Sequence, residues 1–288
     1  MNEIMPRRSR HRATRSWLTA AEVRTLDALI AFLSTSSPFF PSAPLPNEAG
    51  VTVAAVCGNW YDVPSKMPIL AEMARTSPSL TLLLSGGRDE RLTLPEAKEL
   101  GGEPLYLQAK LFRTYGIERS RQLIWSGARI TNHNLRAMLF YAKQTQEFEH
   151  RSTRLQILEQ GFLVRRLAAS MRALLDKDPA AQRAIASLTV RAVGPMTFDG
   201  LVALHGGHDE VAFALIYGEL KRLTQYSVAT NDPNVEVVLS KEAGQLPSRE
   251  LGDQVQRLWQ RNRDGLYASG LKLLANRTLL SAIGAVPV

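Results

Sequence analysis

Beyond its first fifteen or so residues, the chain carries apolar residues at helical spacing. Leu18, Val23, Leu26, Leu29, Ile30 and Leu33 share one face and predict a helix from about residue 16 to Ser34. A Pro/Ser-rich stretch, Ser36–Pro46, ends that pattern. A different rhythm follows. Val51–Cys57, Leu80–Leu84, Gln122–Trp125, Leu155–Leu158 and Leu188–Val190 are short runs read as strands, mostly apolar and without alternation. Helical patterns occupy about 64–76, 102–115, 133–146 and 161–176 between them. Strands of this kind are buried on both faces, and helical crossovers between them make the sheet parallel. The expectation is an α/β chain: a parallel sheet of about five strands with helices on both faces. Right-handed crossovers bring every strand's carboxyl end to one edge, where ligands bind.

From about residue 194 the alternation stops. Residues 194–207 read as loop, 208–226 as a helix, Asn231–Asn234 as a turn and Val235–Leu239 as a further strand. Residues 248–263 and 265–284 read as helices. The chain therefore divides into a basic tail (1–15), an α/β ligand-binding core (16–193) and a mostly helical C-terminal extension (194–288) packed on the same sheet.

Composition narrows the function classes. The 288 residues are 45% hydrophobic and 22% charged, ordinary for a globular protein with a sizeable core. The single cysteine, Cys57, excludes an intrachain disulfide framework and a cysteine-based zinc site, and it fits a cytoplasmic setting. No stretch suits a membrane span: the uncharged Thr278–Val288 is about half the roughly 20 residues required. The net charge of +8 raises nucleic acid as a partner, but Arg7, Arg8, Arg10, Arg12 and Arg15 supply much of it from the tail. Elsewhere no basic stripe interleaved with aromatics is visible, so a small molecule is the expected partner rather than nucleic acid.

Candidate chemistry lies in the segments that follow the strands. Gly58-Asn59 ends strand one, with Asp62 three residues on; Gly58 permits a sharp turn, and Asn59 can donate and accept. An ordinary strand-to-helix turn with Asp62 as helix cap explains them equally well. Ser85-Gly86-Gly87-Arg88 follows strand two and could present successive N–H groups as an anion nest, although it matches neither a Walker loop nor a dinucleotide fingerprint. Glu103 opens the next helix, where the dipole alone favours a carboxylate; a ribose hydroxyl or an amine is its alternative partner. Thr131-Asn132-His133-Asn134 follows strand three and carries more hydrogen-bonding side chains than one helix cap needs; Asn132 and Asn134 are ligand candidates, His133 an exposed cap residue or an acid–base group. Glu159-Gln160-Gly161 follows strand four, and Arg165-Arg166 sits early in the next helix, where cations oppose the dipole unless an anion arrives. The reading is a small-molecule ligand, anionic or nucleotide-like. His205 and His208, with Asp209 adjacent, have a spacing zinc would accept but lack an evident third ligand, so no metal is expected.

Taken in order, Val56-Cys57-Gly58-Asn59, Leu84-Ser85-Gly86-Gly87, Gly102-Glu103, Thr131-Asn132 with Asn134, and Gln160 through Arg165-Arg166 resemble the YdcF-type family, which shares its Rossmann-like domain with SanA- and ElyC-like envelope proteins. Tyr217-Gly218-Glu219-Leu220 is similar to the YdcF branch, and the resemblance spans about residues 16–260. It implies a ligand pocket at the strand ends. It also implies S-adenosylmethionine as cofactor, with the family's reaction not settled. The residues expected to hold the ligand are Gly58, Asn59, Asp62, Ser85, Gly86, Gly87, Arg88, Glu103, Thr131, Asn132, Asn134, Gln160, Arg165 and Arg166, and the leading reading is a transferase acting on an unknown substrate. The SanA- and ElyC-like members carry membrane anchors, which this sequence does not show. The family's usual pattern after strand three, roughly Thr-x-x-Glu-Asn, is shorter here and has no acid. That departure favours the alternative, a non-catalytic ligand sensor or degenerate family member.

Overall fold

A computed structural model describes residues 18–35, 50–57, 63–87, 99–128, 131–204, 207, 209–225 and 250–261. Five parallel strands form one sheet: β1 (Val51–Cys57), β2 (Thr81–Ser85), β3 (Gln122–Trp125), β4 (Thr153–Gln160) and β5 (Ile185–Val193), in the spatial order β3-β2-β1-β4-β5. Helices cover both faces. On one lie α2 (Val63–Thr76) and α3 (Glu103–Tyr115), whose Met67, Leu70, Leu107 and Leu111 pack with Ala54, Val56, Leu82 and Leu84. On the other lie α4 (Thr131–Glu149), α5 (Val164–Asp176) and the short α6 (Pro179–Ala184), whose Leu135, Met138, Leu167 and Met171 meet Val53, Ala55, Leu83 and Ile157. Successive strand residues feed opposite clusters, as the period of two demands. The architecture is a Rossmann-like α/β fold with a mostly helical C-terminal extension.

The connections run β1 to β2 to β3 toward one edge, then return past β1 to β4 and β5. The direction of winding reverses between β1 and β4, and at such a switch point the two flanking crossovers part and leave a crevice above the strand ends.

A third apolar cluster contains no strand residue. It joins α1 (Ala20–Leu33) to α7 (Phe198–Leu204), α8 (Asp209–Gln225) and the helical residues 250–261, with α5 as the wall they share with the sheet. Phe198, Phe213, Tyr217 and Trp259 fill its centre, the last two stacked 4.3 Å apart. The described part of the extension thus rests on helices rather than on the sheet, and α1, grouped by sequence with the α/β core, belongs spatially to this helical layer. Thr19 starts α1 with a capping box: its hydroxyl accepts from the Glu22 N–H at 3.3 Å, and the Glu22 carboxylate accepts from the Thr19 N–H at 2.6 Å.

The expected strands and major crossover helices are present with shifted ends. β4 and β5 run longer than their apolar centres, α4 starts at Thr131 rather than near 133, and 194–207 contains α7 where loop was expected. The expected strand at Val235–Leu239 and helix at 265–284 lie outside the described residues. Among the described residues no helix is long and apolar enough to cross a membrane.

Candidate functional site

The switch point is organised by a lysine. β1 ends at Cys57, whose thiol is buried, and β4 ends at Glu159-Gln160 beside it. Lys66, in the first turns of α2, sits on the helix face that also presents Leu70 and Ala74 to the core, so its side chain runs inward. Its Nζ donates to the Cys57 carbonyl at 3.1 Å and to Glu159 Oε1 at 2.7 Å. Both charged side chains are only 1% exposed. The same Oε1 accepts the Gln160 backbone N–H at 2.9 Å. One ammonium group thereby ties together the ends of two neighbouring strands, and Glu159 fixes the backbone of the residue that follows.

Gln160 then stands out. Its side chain is fully buried, yet neither Oε1 nor Nε2 has a hydrogen-bond partner. Leaving such groups unmade in the interior costs about 1–3 kcal/mol each, so native proteins rarely do it without reason. The next residue is a glycine in a tight turn: a Cβ on Gly161 would lie 2.6 Å from Met196 Sδ and 2.7 Å from Ser34 Oγ, so both side chains would have to shift. The absence of a side chain lets the end of α1 and the segment after β5 close on this turn.

On the β2 side, Ser85 is buried and its hydroxyl donates to Asn134 Oδ1 at 2.5 Å, coupling a strand end to the first turn of α4. Asn132, one residue into that helix, is 8% exposed and its Oδ1 is unpartnered. Thr131 is half-buried and His133 exposed. These four residues form the opening turn of a helix that starts about two residues earlier than the sequence pattern suggested. Gly86 donates its N–H to the Trp125 carbonyl at 3.0 Å, and the Gly87 carbonyl accepts the Glu103 N–H at 3.2 Å. A Cβ on Gly86 would sit 2.9 Å from Glu103 Oε2. An anion nest would need the Gly86 N–H to be available and no carboxylate nearby, and this turn offers the opposite. Gly58, Asn59, Asp62 and Arg88 lie outside the described residues.

The two arginines have other duties. Arg165 donates from Nε to the Phe32 carbonyl at 2.8 Å and from Nη2 to Thr35 Oγ1 at 2.7 Å, with its guanidinium 3.9 Å from the centre of the Phe32 ring. It adds a charged donor to the Phe32 carbonyl and the Thr35 hydroxyl at the end of α1. Arg166 is buried and pairs bidentately with Glu219 of α8, Nε to Oε2 at 2.5 Å and Nη2 to Oε1 at 3.3 Å. The charge conflict with the α5 dipole is thus answered by protein groups.

The structure therefore brings Ser85, Gly86, Gly87, Glu103, Thr131, Asn132, Asn134 and Gln160 to the carboxyl edge of the sheet, while the described contacts of Arg165 and Arg166 join α5 to the helical layer. Sequence reasoning did not pick out Lys66 and gave Glu159 no role. The available signal was position: Lys66 precedes Leu70 and Ala74 by four and eight residues, on a buried stripe where a lysine needs a partner. Among the described residues no group of three or more His, Cys, Asp or Glu side chains could hold a metal ion; His205 and His208 fall outside them. No protein-family model matches the chain, and no curated protein does.

Proposed function

We propose that the chain is a YdcF-type small-molecule-binding protein whose crevice at the β1/β4 switch point takes a nucleotide-like ligand of the adenosine class, S-adenosylmethionine being the candidate. The observation that carries this reading is the Gln160 side chain, fully buried at the end of β4 with both amide atoms unpaired. The fold's ligand edge and an unspent donor–acceptor pair coincide there. The reading extends to transfer chemistry on an unknown substrate in a cytoplasmic setting. A second reading, binding without catalysis, is favoured by one observation: residues 131–134 contain no carboxylate that could act as a base.

The test is calorimetric titration with S-adenosylmethionine, S-adenosylhomocysteine, ATP, AMP and adenosine. Saturable binding by adenosine-bearing compounds, with a stability gain of about 2.7 kcal/mol at a hundredfold excess over Kd, is the expected result. Heats and melting temperatures that none of them moves would overturn the proposal. Binding of S-adenosylmethionine with no conversion to S-adenosylhomocysteine across a panel of acceptors selects the second reading.

A further inference from the structure

We infer that Gln160 determines specificity in this crevice by reading the six-position edge of a purine, an inference that rests on the adenosine-class reading above. An amide presents a donor and an acceptor side by side, and in Gln160 both are idle and shut away from water. Its backbone is held by Glu159, itself held by Lys66, so the side chain projects from a fixed point. Asn132 adds a second unpartnered oxygen on the same edge. Both oxygens need donors. Phosphate and ionised carboxylate offer only acceptors, so an anionic group cannot satisfy either oxygen.

A ring edge with an N–H beside a ring nitrogen satisfies the Gln160 amide at both ends, as adenine does with its exocyclic amine and the adjacent nitrogen. Neither amide atom is committed elsewhere, so the group can turn over by half a rotation and match the reversed pattern of a 6-oxopurine. It cannot match a purine with hydrogen at the six position, which lacks the donor, or one carrying a dimethylamino group there, which lacks the donor and adds bulk. Adenine and hypoxanthine nucleosides are therefore accepted, and the two modified purines are rejected.

The experiment compares adenosine, inosine, purine riboside and N6,N6-dimethyladenosine by calorimetry on the wild-type chain, then repeats the series on Gln160→Met. The wild type should bind the first two alike and the last two roughly 10- to 100-fold more weakly, the discrimination expected of a bidentate pair. Gln160→Met keeps an unbranched side chain without the amide, so it should bind adenosine and purine riboside equally. A flat wild-type series with clear adenosine binding overturns this inference and leaves the proposed function standing. A Gln160→Met variant that still prefers adenosine by the same factor does so too. If no purine nucleoside binds the wild type, this inference falls, and the proposed function falls with it only where S-adenosylmethionine, S-adenosylhomocysteine, ATP and AMP fail to bind as well.

Discussion

A lysine ammonium with 1% exposure is held in place only because something nearby compensates for its lost hydration, and Glu159 and the Cys57 carbonyl do so. Such a pair is asymmetric in its effect on stability. Lys66→Met removes the cation and strands a buried carboxylate, which costs about 3–5 kcal/mol. Adding Glu159→Gln neutralises that carboxylate while leaving an oxygen to accept the Gln160 N–H. The double variant should recover most of the loss in urea unfolding. Two losses that simply add would show that the residues act independently. Neither the pairing nor the idle amide of Gln160 was legible in the sequence. Lys66 and Glu159 are 93 residues apart, and no local rule relates them. Gln160 could be placed at a strand end from its neighbours, but whether its amide finds a partner depends on how several distant segments meet around it.

Single elements were easier to read than their joints. The apolar centres of β1, β2 and β3 mark buried strands because both faces are covered, and those three were located to within a residue. β4 and β5 extend past their apolar centres through Arg154, Glu159, Gln160, Arg191 and Ala192, polar or small residues whose strand state is imposed by pairing with neighbours rather than by their own preference. The six-residue α6 escaped notice for a related reason: it is too short to show a period and is defined by its ends. Asp178 makes that start. Its carboxylate accepts the Ala181 N–H at 3.0 Å and the Lys143 ammonium of α4 at 2.7 Å. The Lys143 hydrogen bond foremost, and then the Ala181 N–H, hold its pKa below the ordinary aspartate value, outweighing the opposing effect of burial. A depressed folded-state pKa stabilises the fold above the unfolded value of ~3.9, and that contribution is lost as pH falls through the lower folded value. Asp178→Asn keeps the cap and removes the charge. With the two side chains 37% and 31% exposed, the loss at neutral pH should be about 0.2–1 kcal/mol. Wild type and variant should converge in melting temperature below pH 3, and a difference that persists in acid would assign the effect to something other than the ion pair.

Among the described residues two cores lie back to back, the sheet with its covering helices and the all-helical layer, with α5 contributing to both. Leu167, Met171 and Leu174 of α5 face the sheet, while Ala169 and Ala173 face α1 and α8. Arg166 lies on the second side, and its pair with the fully buried Glu219 is a charged link across the joint. Arg166→Ala removes the buried cation that faces that carboxylate and should cost about 3–5 kcal/mol. Hydrogen exchange should localise the damage, with amides of α1 and α8 losing protection well before those of β1 and β4. Uniform loss across both cores would show that they unfold as one unit.

The helical layer closes through partners far apart in the sequence. Thr25 of α1 donates to Gln254 at 3.1 Å across a separation of 229 residues, and Arg261 meets Glu22 at 2.6 Å nearby. Glu22 responds: burial alone would raise its pKa, but hydrogen bonds from Arg261 and Thr19 lower it on balance. During synthesis, α1 leaves the ribosome well before the residues that cover its apolar face, which run from Phe162 to Trp259. At about 5–20 residues per second, Leu26, Leu29, Ile30 and Leu33 gain their last described partner only after roughly ten seconds or more. Over that interval the nascent chain offers a greasy helix to any chaperone at the exit tunnel, and the rate of reaching the native state is set by when the last partner arrives rather than by how fast the sheet assembles.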